Sequence, residues 1–292
     1  MRLLRVVSLV AMLLLTPPLL AAEGEYQSAG FVELPVGIAL DAVSAVAVDR
    51  DDQVYVLQRG EPQILVFNNH GKYLRGFGQG LFKVPHGLRF DHDGHLWTTD
   101  NGNHVLRKFS RDGRLLQTIG TEGKPGSGED GFRAPDDLVF DSQGNFYVAD
   151  SGNGRIVKLS PAGNFIREWG KKGKADGQFA TAHGLAIDGK DRIYVCDRGN
   201  KRVQVFDSEG KHLASWSGFG NPFGALAVGD ELLVTEGDIH KIFHLKLDSG
   251  EIATSWGNAD TLKLPHLMAV DSQGVLYVAE VNGKRVQKFV RK

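Results

Sequence analysis

The chain holds a single cysteine in 292 residues. One thiol forms no internal disulfide and builds no cysteine-based zinc site. Charge of one sign is not in surplus either: 34 Lys and Arg stand against 35 Asp and Glu, a formal net charge of −1. A domain built to hold nucleic acid normally carries a basic excess, so that partner class is disfavoured. Long apolar runs are missing. Val6 to Leu15, broken only by Ser8, is too short for a comfortable membrane span. Outside that run no segment sustains a 3.6-residue apolar period, which leaves little room for helices. What is abundant is glycine, 37 residues, roughly twice the usual share of about 7%. It has no three-residue period, so it is not collagen-like. Tight turns between many short strands account for it. With 41% apolar and 24% charged residues the composition is globular.

The N-terminus is laid out as a secretory leader. Arg2 and Arg5 precede the apolar run, Pro17 and Pro18 end it, and Ala21, Ala22 and Gly24 follow. Ala22-Glu23-Gly24 is a small-x-small cleavage site before Glu25; cleavage after Ala22 and an uncleaved anchor are the alternatives. Residues 1–24 are thus expected to be a signal peptide and 25–292 the mature domain, secreted or periplasmic and free of the membrane after cleavage. A domain of that size needs no disulfide staples.

Internal repetition dominates the rest. Val43-Ser44-Ala45-Val46-Ala47-Val48, Pro85-His86-Gly87-Leu88-Arg89-Phe90 and Pro135-Asp136-Asp137-Leu138-Val139-Phe140 align. So do Ala182-His183-Gly184-Leu185-Ala186-Ile187, Pro222-Phe223-Gly224-Ala225-Leu226-Ala227 and Pro265-His266-Leu267-Met268-Ala269-Val270. The second residues fall at 44, 86, 136, 183, 223 and 266, so the steps are 42, 50, 47, 40 and 43. That is the period of propeller blades. Each unit continues with an Asp/Gly turn, such as Asp141-Ser142-Gln143-Gly144, and further β-branched and aromatic runs between Gly turns. The fold class is all-β: a six-bladed propeller of four-stranded units. The sixth unit lacks a fourth strand before the chain reaches Lys292, while Tyr26 to Leu34 is a spare strand ahead of the first. Supplying that strand to the last blade closes the ring without an open edge.

Histidine occupies the second position in blades two, four and six, as His86, His183 and His266. Alternate blades of a six-fold ring are related by rotations near 120°, so three imidazoles converge on the channel. A His₃ set with an open position is the donor set of catalytic zinc. Three histidines at these six positions should arise by chance on the order of once in a thousand. Arg59, in Gln58-Arg59-Gly60, and Arg198, in Asp197-Arg198-Gly199, open equivalent loops after second strands. Arginine there binds a carboxylate through two parallel hydrogen bonds, or pairs with a neighbouring acid such as Glu61 or Asp197. The other motifs carry less. Asp91-His92-Asp93-Gly94 reads as a turn rather than a calcium loop, and Cys196, ending an apolar strand, as a buried inert thiol.

Pro85-His86-Gly87-Leu88, the stretch 193–206 and Trp169-Gly170 with Gly177-Gln178-Phe179 resemble NHL repeats. Across nearly the whole mature chain the pattern resembles the peptidyl-α-hydroxyglycine α-amidating lyases, six-bladed NHL propellers. The resemblance implies that His86, His183 and His266 hold zinc, that Arg59 and Arg198 hold the substrate's carboxylate, and that a peptidyl-hydroxyglycine is cleaved to a peptide amide and glyoxylate. It also implies a catalytic Tyr at Ser151 or Gly152, where none stands; Asp136, between two His blades, is the candidate base instead. The family's channel calcium takes a carboxylate directly after the third His. Leu267 stands there, and Leu88 offers only a matching backbone carbonyl, so calcium is not favoured. The expectation is a monomeric propeller that acts on a small anionic or peptide substrate in its channel. A propeller that binds a protein or glycan on one rim, without catalysis, is the alternative.

Overall fold

The computed structural model describes residues 26–32, 34 and 37–292; the leader expected at residues 1–24 lies outside them. Among the described residues, 24 strands form six four-stranded antiparallel sheets. Blades one to five are simple meanders in chain order. The innermost strands are Val43–Val48, Pro85–Phe90, Pro135–Phe140, Ala182–Ile187, Pro222–Val228 and Pro265–Val270. No α-helix occurs among the described residues; a 3₁₀ turn at Arg198–Asn200 follows the second strand of blade four.

Blade six is closed from the other end of the chain. Tyr26–Phe31 pairs antiparallel with the third strand, Arg285–Arg291, in register Tyr26 to Arg291 and Ser28 to Phe289. The spare strand expected at Tyr26 to Leu34 is therefore the missing fourth strand, slightly shorter than its sequence pattern. Its hydrogen bonds remove an edge that would otherwise invite pairing with another chain.

The turn chemistry follows the sequence closely. Asp49, Asp141, Asp188 and Asp271 each accept backbone N–H groups from two and four residues on, at 2.9–3.0 Å. Asp91 accepts the N–H four residues on. The left-handed position of the turn is filled by Gly94, Gly144 and Gly274. Blades one and four use Asp52 and Asp191 there, a residue whose short polar side chain tolerates that region.

There is no single core. Apolar clusters lie between successive blades, as where Val139 and Tyr147 of blade three pack on Leu185, Ile193 and Val195 of blade four. Blade six packs on blade one in the same way, through Tyr277, Ala279 and Val286 against Val46 and Val56. Each blade thus buries its faces against two neighbours, and the ring is the smallest unit in which all of them are satisfied. This arrangement fixes the second residue of every innermost strand at the channel.

Candidate metal centre at the channel mouth

The three histidines meet. Ring centroids are 4.7 Å apart for His86 and His183, 4.9 Å for His86 and His266, and 5.0 Å for His183 and His266, a nearly equilateral triangle. One ring nitrogen of each lies within 4.8 Å of the other two, and all three residues are buried.

Backbone irregularity aims them. In blades two, four and six the pairing of first and second strands shifts register between the first and fourth residues, Pro85 and Leu88, Ala182 and Leu185, and Pro265 and Met268. Such a bulge twists the strand locally and redirects a side chain. In blade two the N–H of Gly87, freed from the ladder, donates to Thr99 Oγ1 at 2.7 Å, and the Thr99 hydroxyl donates to the Asp136 carbonyl at 2.8 Å. In blade five the N–H of Gly224 reaches Thr235 Oγ1 at 2.8 Å, and that hydroxyl donates to the His266 carbonyl at 2.6 Å.

The tautomer is set from the neighbouring blade. His86 Nδ1 lies 2.8 Å from the Asp136 carbonyl, His183 Nδ1 2.7 Å from that of Phe223, and His266 Nδ1 2.5 Å from that of Ser44. A carbonyl only accepts, so each Nδ1 carries a proton and Nε2 is the atom left for a ligand bond. Burial holds His183 and His266 well below the ordinary histidine range, with the other imidazoles and Arg198 adding to the effect. An Nδ1–H anchored on a backbone carbonyl, which leaves Nε2 as the ligand atom, is the arrangement that metal-binding histidines take. The three residues fit a divalent transition metal with an open position, and zinc is the ion whose catalytic sites use this set.

Asp136 flanks the triad without joining it. Its Oδ1 is 3.7 Å from His86 Nε2, and Asn101 Nδ2 and the Ser151 hydroxyl bond its carboxylate. Burial raises its pKa; the His86 ring, Ser151, Arg198 and Asn101 act in the opposite direction.

Both arginines lie where their charge reaches the site. Arg198 is stacked on Phe223, its guanidinium carbon 4.8 Å from the ring centroid, and Phe223 in turn borders His183 and His266 at 5.4 and 5.7 Å. Its charge acts on His183, His266 and Asp136, while that of the exposed Arg59 acts on His266 and Asp41. Neither arginine forms a salt bridge among the described residues. The reason is visible at Asp197, whose carboxylate is consumed by the N–H groups of Ala180 and Thr181, by Asn200 and by Arg202. Glu61 likewise accepts from Gln63 and Gly80 rather than from Arg59.

Asn101, Ser151 and Phe223 complete the mouth and had no role assigned from sequence. Asn101 and Ser151 follow the second strands of blades two and three, at the offset occupied by Arg59 and Arg198, so the same repeat arithmetic contains them. The Asp91 turn proves structural: its carboxylate takes Trp97 Nε1 at 2.9 Å, Lys108 Nζ at 3.1 Å and His95 Nδ1 at 3.2 Å. Cys196 is wholly buried, and burial pushes its thiol far above the reactive range.

Comparison with known proteins agrees with this architecture. The NHL repeat family matches at residues 82–109, 132–159 and 179–206. NHL repeat-containing protein 3 of Mus musculus is 37% identical over 97 residues, 30% of this chain and 28% of the relative. A probable peptidyl-alpha-hydroxyglycine alpha-amidating lyase of Caenorhabditis elegans is 34% identical over 64 residues, 22% of this chain and 18% of the relative. The matches therefore span less than a third of these relatives' own length. Among solved structures, virginiamycin B lyase from Staphylococcus aureus superposes with a TM-score of 0.65 at 14% identity, covering 92% of this chain and 99% of that one. At that identity the likeness speaks to the fold. Taken with the strand order and the repeat spacing, these findings make the chain a six-bladed β-propeller in which three segments match the NHL repeat, with amidating lyases among the proteins it is similar to.

Proposed function

We propose that this propeller is an exported, metal-dependent lyase that cleaves peptidyl-α-hydroxyglycine-type substrates to a peptide amide and glyoxylate. The observation that carries the reading is the triad itself: three buried imidazoles, each anchored through Nδ1 on a backbone carbonyl, beside two arginines without salt-bridge partners among the described residues. The lyase named among the relatives supports the choice of reaction. The basic-apolar-small layout of residues 1–24 supports export.

His86, His183 and His266 would hold zinc. Bound there, the ion supplies Lewis-acid chemistry that lowers the pKa of a hydroxyl. The chain's own residues do the rest. Arg198, stiffened by Phe223, and Arg59 bind the substrate's carboxylate and orient its C–N bond. Asp136, held by Asn101 and Ser151, receives the hydroxyl proton. The electron pair of that O–H bond becomes the second bond of the aldehyde, the C–N bond breaks, and its pair on the amide nitrogen takes the proton from Asp136. Atoms and charge balance without a further reactant.

Purified protein loaded with zinc and given an N-acyl-α-hydroxyglycine peptide should release glyoxylate. His183→Ala should lose at least 100-fold in rate and carry less metal, whereas Asp136→Asn should keep its metal and lose rate by about 10²–10⁴. Folded, metal-loaded protein that yields no glyoxylate would sink the lyase reading. A propeller that carries no metal and no such activity would be the rim-binding module that the NHL repeat-containing relative also allows.

A further inference from the structure

The innermost layers of the propeller carry one charge of each sign that the metal centre does not use. The third residues of the six innermost strands are Ala45, Gly87, Asp137, Gly184, Gly224 and Leu267. The fifth are Ala47, Arg89, Val139, Ala186, Leu226 and Ala269. Each layer is small or apolar except at one position, and the two exceptions pair: Arg89 Nη2 donates to Asp137 Oδ2 at 2.8 Å. Asp137 is fully buried and the Arg89 side chain retains 15% exposure.

The surroundings of that guanidinium are oxygen atoms from three blades. Nη1 donates to the Leu88 carbonyl of blade two at 3.1 Å, and Nη2 also approaches the Leu185 carbonyl of blade four at 3.4 Å. Asp137, from blade three, accepts in turn from the N–H of Leu185 at 3.0 Å and of Leu138 at 2.9 Å. A carboxylate and two backbone carbonyls around one point are the donors a hard divalent cation takes. Arg89 also borders a mostly apolar cavity of about 230 Å³ lined by Leu185, Ala186, Ile187, Ala225 and Ala227.

We infer that Arg89 is a built-in axial cation: its guanidinium takes the place of a divalent ion among these oxygens, ties blades two, three and four, and closes the channel beneath the histidines. Ligands then reach the triad from the mouth alone. This holds whichever reaction the triad performs.

The test is calcium-dependent stability. Wild type, loaded with zinc, should show a melting temperature that millimolar CaCl₂ leaves unchanged. Arg89→Ala leaves Asp137 buried without a counter-charge and should melt roughly 10 °C lower. CaCl₂ should restore much of that loss in a saturable, concentration-dependent manner. The double variant R89A/D137N, which lacks the carboxylate, should not respond. Arg89→Ala that folds and ignores calcium overturns the inference, as does a wild-type protein that calcium stabilises to the same extent. If Arg89→Ala does not fold in calcium-free buffer, refolding from urea in CaCl₂ decides: recovery of the β spectrum supports the inference and failure overturns it.

Discussion

At the scale of single residues, the site depends on how closely two backbones approach. Gly184 follows His183, and a methyl group there would press on the Phe223 carbonyl oxygen, the acceptor that anchors His183 Nδ1. Gly184→Ala should therefore cost about 1–3 kcal/mol in urea unfolding and lower the zinc content at the same time. A variant with wild-type stability and full metal content would show that the two strands can part without disturbing the triad. Sequence alone marks His86, His183 and His266, because their alternation is too regular for chance. It does not mark the other half of the device. Ser44, Asp136 and Phe223 occupy the intervening second positions and act through their carbonyls, which every residue type possesses. A backbone acceptor leaves no trace in composition.

At the scale of elements, the blades are pinned by polar struts between strands and loops. Second strands end in Asp100, Asp150, Asp197, Glu236 and Glu280, and these acids accept backbone N–H groups from the segment leading into the innermost strand. Such struts use up the carboxylates beside the mouth, which is why Arg198 forms no salt bridge among the described residues. Another strut holds the strand pair that closes the ring. Arg291, on the third strand of blade six, grips Glu231 of blade five with two hydrogen bonds at 3.1 and 3.0 Å. His244, whose Nδ1 lies 3.5 Å from the same carboxylate, and Arg291 hold Glu231 down to about 2. The unfolded chain takes up this proton near the ordinary glutamate value, the folded one only near 2. The strut's stabilisation is thus complete above about pH 4.5 and is lost as pH falls from there toward 2. Melting temperature followed over that range should fall less steeply for Glu231→Gln than for wild type. Parallel curves would remove Glu231 from the acid response. The acidic strand ends were legible as turn residues, but their partners lie up to 17 residues away in sequence and meet only across the blade.

At the scale of the whole molecule, stability is a property of the closed ring. Each blade buries its faces only against two neighbours, and blade six is completed by Tyr26–Phe31. Deleting residues 25–36 should expose the edge of Arg285–Arg291 and replace a sharp thermal transition with a broad one, often accompanied by aggregation. A truncated chain that still melts sharply would show that five complete blades and a three-stranded sixth suffice. The sequence by itself determined the blade number, the strand class, the N-terminal closure and the triad, because each is written as a repeat or as a departure from one. Glycine excess and aspartate spacing follow from local backbone geometry, which neighbouring residues alone dictate. The tertiary structure decided what depends on contact between blades. It settled the histidine tautomers through carbonyls some 40 to 222 residues distant. It also left the two arginines without salt bridges by engaging the acids beside them. The pairing of Arg89 with Asp137, 48 residues apart, was decided in the same way, since two solitary charges in apolar layers acquire meaning only when the ring places them side by side.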